Sequence, residues 1–154
     1  MIVVDTSALF AILANEAERD TFVEAIAAAD RCVISAAAHV ETGIVISARY
    51  GPAGQHYLAT FLSRAGIETK PVDAEQAMTA ITAYRRFGKG LHPAGLNYGD
   101  CFSYALAHTL DVPLLFKGPN FPETDIKRAV WIQKRGRRPG IVCGDSSTDA
   151  GNAL

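Results

Sequence analysis

Cysteine is scarce and unpatterned in this sequence: Cys32, Cys101 and Cys143 are odd in number and form neither a CxxC pair nor a Cys/His ligand spacing. That excludes a disulfide scaffold and a thiolate zinc site, and it points to reduced thiols in a cytoplasm. Cys101 directly follows Asp100. An adjacent anion raises a thiol's pKa, so Cys101 reads as a small buried apolar residue rather than a nucleophile. His39, His56, His92 and His108 share no metal-ligand spacing such as HExxH. No apolar run is long enough to cross a bilayer. The opening MIVVDTSALFAIL lacks a basic segment and is interrupted by Asp5, which argues against a signal peptide. Gly88-Lys89-Gly90 lacks the earlier glycine and the following hydroxyl of a phosphate-binding loop. What remains is a chain of 154 residues, 49% of them apolar, enough for one domain with an ample core.

Charge is thin as well, and three acids stand apart from it. Asp5 is the only formal charge before Glu16; Glu41 is the only one between Arg31 and Arg49; Asp100 is the only one between Lys89 and Asp111. Solitary anions in segments apolar enough to be core are costly unless something pairs with them. No Lys or Arg lies nearby in sequence to do so, whereas a shared divalent cation answers all three. Elsewhere, Lys127, Arg128, Lys134, Arg135, Arg137 and Arg138 form a basic stretch without acids, so the remainder of the chain is negative although the formal net charge is −1. Such a stretch can hold phosphates or serve as a solvated tail.

Along the chain, Ile2-Val3-Val4 reads as a buried strand ending at Asp5, with Thr6 and Ser7 able to cap the helix that follows. Residues 16–29 form a second helical stretch, Cys32-Val33-Ile34 a second strand, and Ser35 caps a helix over 36–49. Gly51-Pro52 breaks the chain before another helix. Ile67 to Lys70 is a third strand, Asp73 caps a helix over 74–87, and residues 88–97 form a Gly- and Pro-rich loop. A helix from near Gly99 to Leu110, a fourth strand over 112–116 and a fifth at Ala129-Val130-Trp131-Ile132 complete the order. Short strands alternating with helices predict a parallel sheet of about five strands covered on both faces, an α/β/α sandwich over residues 1–132, followed by a basic, then flexible tail over 133–154. In such sheets ligands gather at the carboxyl ends of the strands, where Asp5 falls and where Glu41 and Asp100 can be brought.

Oxygen donors without histidine or thiolate suit Mg²⁺ or Mn²⁺. Carboxylates around such an ion orient a water, lower its pKa and neutralise a phosphate, so the natural substrate class is a phosphodiester. The plain alternative for a lone Asp at a helix start is an N-cap, and it applies to Asp100; Glu41, inside a helix, has no such explanation. Asp125 lies among Lys117, Glu123 and Lys127, where surface charge is ordinary.

MIVVDTSAL, ISAAAHVETGIV, HPAGLNYGDCFSYALA and LLFKGPNFPETDI, in this order and spacing, resemble the PIN-domain ribonucleases, and among them the VapC-type toxins of bacterial toxin–antitoxin pairs. The resemblance implies Mg²⁺- or Mn²⁺-dependent endoribonuclease activity on RNA, inhibition by a cognate VapB-type antitoxin, and a homodimer. It assigns the first three acids of the family to Asp5, Glu41 and Asp100, with Asp5 and Asp100 as principal metal ligands and Glu41 nearby or bound through water. Independently of it, Thr6 and Ser7 follow Asp5 directly and offer a supporting hydroxyl, or serve simply as helix caps. The fourth acid is replaced: the stretch that carries it reads Lys117-Gly118-Pro119-Asn120-Phe121 here. Asn120 brings an amide oxygen without charge, so either metal binding is weakened or Asp125 takes up the role. A degenerate PIN domain that binds RNA or a partner without cutting is the alternative. A phospho-accepting receiver domain is disfavoured, because Asp5 is followed by Thr6 and Ser7 rather than by a second acid. Lys117, Arg85, Arg86 and Lys89 are candidate phosphate contacts.

Overall fold

Alternation along the strands decides the architecture. The computed structural model describes residues 1–129. In β1 (Ile2–Val4), Ile2 and Val4 enter one apolar core and Val3 another; in β2 (Cys32–Ser35), Cys32 and Ile34 join the first and Val33 the second. β4 (Leu114–Leu115) divides likewise, Leu115 to the first core and Leu114 to the second. A period of two with apolar residues on both sides is the mark of a sheet buried on both faces.

The first core is closed by Leu9 and Ile12 of α1 (Thr6–Leu13), Phe22 of α2 (Arg19–Ala28), and Ile46 and Leu58 of α3 (Ala36–Arg64). The second is closed by Ala80 and Ala83 of α4 (Ala74–Phe87) and by Tyr104 and Leu106 of α5 (Tyr98–Leu110). Leu9, Phe22 and Leu106 are essentially inaccessible to water, and burial of each contributes about 1.5–3 kcal/mol. With β3 (Ile67–Lys70) at one edge, the sheet runs β3-β2-β1-β4 and every pair is parallel. The three-layer α/β/α sandwich expected from the sequence is the fold.

Four strands are described where about five were expected. Beyond β4, Leu114 N–H donates to the Lys127 carbonyl (2.8 Å), Ala129 N–H donates to the Leu114 carbonyl (3.0 Å), and Arg128 bridges Leu114 in parallel. Residues 130–132 of the expected fifth strand lie outside the described residues, as do Lys134, Arg135, Arg137, Arg138 and the rest of the 133–154 segment. β4 is shorter than the expected 112–116, because Val112 N–H is drawn back to the Ala107 carbonyl (3.1 Å) by the turn that closes α5 at Asp111 (φ 49°, ψ 45°). α3 contains the expected break: Gly51 (φ 62°, ψ −155°) ahead of Pro52 interrupts the helical path, a positive φ that glycine adopts without steric cost.

The order of the sheet also locates the site. From β1 the chain steps outward through β2 to β3, then returns to the other side of β1 with β4. The crevice at the carboxyl ends of β1 and β4 is therefore where the strand order reverses.

Candidate metal centre and catalytic cleft

At the carboxyl end of β1, Asp5 is 2% exposed and is itself the N-cap of α1. Its Oδ2 accepts the Ser7 backbone N–H (2.9 Å) and the Ser7 hydroxyl (2.5 Å). Thr6 and Ser7 were the expected caps; the carboxylate takes that role because the free N–H groups of the first turn point back at it. The Ser7 hydroxyl also accepts the Lys117 N–H (3.0 Å), so one side chain ties the exit of β4 to the acid at the end of β1.

Glu41 projects from the second turn of α3, and Thr6 Oγ1 donates to its Oε2 (3.1 Å) in competition with the Ala38 carbonyl (3.2 Å). Asp100 stands at the third position of α5 in a reciprocal cap. Its Oδ2 accepts the Asn97 N–H (2.9 Å) while Asn97 Oδ1 accepts the Asp100 N–H (2.9 Å). The N-cap is therefore Asn97 and not Asp100, which takes part in the cap from the third helical position without being excluded from a second role. Asn120 Nδ2 donates to the same Oδ2 (3.3 Å). An amide oxygen facing a carboxylate would repel it, which fixes this orientation of Asn120.

Asp5, Glu41 and Asp100 line one cleft of about 390 Å³ together with Thr6, Ser7 and Lys117. Burial pushes the Glu41 carboxyl above its ordinary range; the Thr6 hydrogen bond opposes this, and the charges of Asp5 and Asp100 add to it. Asp100 is pushed upward as well, by burial and by Asp5, against the hydrogen bonds from Asn97 and Asn120. Glu41 and Asp100 both resist ionising in this cleft, the electrostatic signature of a site that favours a cation. Lys117 does not answer them: its ammonium is held by Glu16 (2.7 Å) and Glu18 (2.8 Å), which raise its own pKa. The donor set is all oxygen and suits a hard cation such as Mg²⁺ or Mn²⁺. Among the described residues no group of three His, Cys, Asp or Glu is drawn closely enough to hold an ion as it stands, so the acids share a cleft rather than a finished coordination shell.

The structure does not bring Asp125 to this cleft. Its carboxylate accepts the Tyr104 hydroxyl (2.7 Å) and pairs with Arg86 (2.9 Å). Burial pushes its pKa up, and these two partners outweigh burial to hold it below the usual range. Arg86 is thereby committed, while Arg85 and Lys89 border an apolar groove of about 720 Å³ between α4 and α5, which adjoins the cleft at Asn97. His92 is a structural residue: its Nδ1 accepts the Ala94 N–H (3.1 Å) and its ring meets Phe87 edge-on. The Cys101 thiol is buried and pushed up to about 11 by burial and by Asp100, which removes it as a nucleophile. Glu16, which lines the cleft and holds Lys117, was not singled out from the sequence, where it is one of two ordinary acids beside Arg19 and Asp20.

The family model of the PIN domain matches residues 2–127 of this chain. The Ribonuclease VapC of Mycolicibacterium smegmatis is 50% identical over 125 residues, covering 81% of this chain and 97% of that one. The chain belongs to the VapC ribonucleases of the PIN-domain family. Ribonuclease VapC30 of Mycobacterium tuberculosis is 49% identical over the same length and 95% of its own. Among solved structures, VapC20 of Mycobacterium tuberculosis, a toxin that cleaves the sarcin–ricin loop, superposes with a TM-score of 0.68 at 19% identity, covering 82% of this chain and 96% of that one. A toxin–antitoxin complex from Klebsiella pneumoniae gives 0.62 at 16% identity, covering 79% and 90%. Both share the fold. Asn120, expected from the resemblance to stand in place of an acid, acts here as a donor to Asp100, where a carboxylate would repel it.

Proposed function

We propose that this chain is an endoribonuclease toxin that hydrolyses RNA phosphodiester bonds with Mg²⁺ or Mn²⁺ and is restrained by a cognate VapB-type antitoxin. The observation that carries the reading is the convergence of Asp5, Glu41 and Asp100, from β1, α3 and α5, on one cleft of a VapC-family fold. Asp5 and Asp100 each spend one oxygen, Oδ2, on local hydrogen bonds, and Oδ1 makes none among the described residues, which leaves it for the metal. An Mg²⁺ or Mn²⁺ ion held by these oxygens would supply Lewis acidity to the phosphate and lower the pKa of a water. Glu41, with Oε2 steadied by Thr6, orients the attacking water and takes its proton; a carboxylate of raised pKa is the better base for that step. Ser7 holds Asp5 in register with β4, and Asn120 steadies Asp100.

No helix among the described residues is long and apolar enough to cross a membrane, and the reading places the protein in the cytoplasm. Antitoxin and a second copy of the chain are the protein partners that family membership supports. Exposed Val40 and Ile44 on α3, with Ile81, Tyr84 and Tyr98 along the α4–α5 groove, are apolar surface available to them. Induction of the chain alone should arrest bacterial growth, co-expression of its antitoxin should relieve the arrest, and Asp5→Ala should be harmless at equal folded abundance. Arrest by Asp5→Ala equal to that of the wild type would refute the assignment.

A further inference from the structure

Gly99 sits between Tyr98, the first residue of α5, and the acid Asp100, in the first turn of the helix. Glycine weakens a helix relative to alanine, so its presence here needs a cause. A left-handed backbone is not the cause, since Gly99 is absent from the positive-φ glycines. Close approach is. A Cβ on Gly99 would lie 2.6 Å from Glu41 Cδ and 2.8 Å from Glu41 Oε1, and nearer still to Oε2, all far inside van der Waals contact. The three nearest atoms all belong to the flexible end of one side chain. Gly54 is different: its Cβ would meet the Ile46 carbonyl at 2.9 Å, so that glycine serves the packing of the backbone.

We infer that Gly99 is a positioning residue for Glu41: its missing side chain is the seat in which the Glu41 carboxylate rests against α5, beside Asp100. The inference rests on the proposed role of these acids in the metal site. Two contacts then meet at Glu41 Oε2, the Thr6 hydroxyl that donates to it and the bare Gly99 position that it approaches. A methyl group at position 99 leaves the helix intact, and indeed favours it, but evicts the carboxylate and breaks its bond to Thr6. The effects on fold and on metal therefore have opposite signs, which a purely structural glycine would not produce.

The test uses the full chain, purified free of metal, as wild type, Gly99→Ala, Glu41→Ala and the double variant, with melting temperature and Mn²⁺ affinity by calorimetry as readouts. Gly99→Ala should melt at or above the wild type and bind Mn²⁺ about tenfold more weakly, the loss typical of a disturbed ligand support. In the Glu41→Ala background, the same substitution should cost no further Mn²⁺ affinity and should raise the melting temperature by more than it does in the wild type, because the seat is empty. An unchanged Mn²⁺ affinity in Gly99→Ala, or an equal gain in melting temperature in both backgrounds, overturns the inference while leaving the metal-site reading standing. If Glu41→Ala itself leaves Mn²⁺ affinity unchanged, Glu41 is not part of the metal site and the inference falls with that reading.

Discussion

Ser7→Ala is the substitution whose cost follows most directly from the geometry. The Ser7 hydroxyl donates to Asp5 Oδ2 (2.5 Å) and accepts the Lys117 N–H (3.0 Å), so its removal opens two interactions at once. A hydrogen bond to an ionised group contributes about 1.5–3 kcal/mol, and a backbone N–H left without an acceptor costs about 1–3 kcal/mol. Two effects oppose this: alanine gains about 0.5 kcal/mol over serine in helix propensity, and the half-buried position lets water recover part of the loss. The Ser7 N–H still caps onto Asp5, so α1 keeps its start. The net expectation is a destabilisation of about 2–4 kcal/mol. For a chain of this size that lowers the melting temperature by roughly 5–15 °C. Urea unfolding of metal-free protein at neutral pH measures it, with an unchanged m-value as the sign that the unfolded state is not the cause. A difference below about 0.5 kcal/mol, within the range of an ordinary surface change, would refute the view that Ser7 links β4 to the acid of β1.

Asn120→Asp restores a carboxylate beside Asp100 and removes the hydrogen bond that now steadies it; metal-free protein should lose about 1–2 kcal/mol, while the rise in melting temperature on adding Mn²⁺ should grow as affinity increases. Calorimetric titration with Mn²⁺ checks the second half, and weaker binding would contradict it. Asp125 is held below the ordinary carboxylate range by Tyr104 and Arg86 against the pull of burial, so its contribution is present above the unfolded value of about 4 and is lost as pH falls through the folded one. Asp125→Asn should therefore cost about 1 kcal/mol at neutral pH and flatten the loss of stability below about pH 4. It should leave Mn²⁺ affinity unchanged, since the residue lies away from the cleft; a drop in affinity would return it to the metal site.

Much of this was legible from sequence because it is local. Ile2-Val3-Val4 ending in a solitary Asp5 announces a buried strand with an acid at its rim, Asp73 marks the start of α4, and Gly51-Pro52 marks the interruption of α3. The isolation of Glu41 and Asp100 was also visible, since a charge without neighbours in an apolar segment needs a partner from elsewhere in the fold. What could not be read depends on helices meeting. Asp125 is removed from the site by Tyr104 of α5 and Arg86 of α4, residues distant in sequence whose approach is set by packing. Tertiary packing likewise brings Glu16 and Glu18, ahead of α2, to Lys117 after β4, and Gly99 of α5 to Glu41 of α3. Asn120, read as a departure that puts the metal site in doubt, turns out to be a hydrogen-bond donor to one of the acids; its identity was clear from sequence, its direction was not.

The most direct test of the central claim is 5′-end mapping of total bacterial RNA incubated with the purified, antitoxin-free chain in Mn²⁺ or Mg²⁺, with EDTA, Asp5→Ala and Asp100→Asn as controls. New ends at defined positions should form with metal and wild-type protein, and should vanish with EDTA and with both variants while their folds persist. The same ends generated by Asp5→Ala and Asp100→Asn, or generated in EDTA, would contradict it.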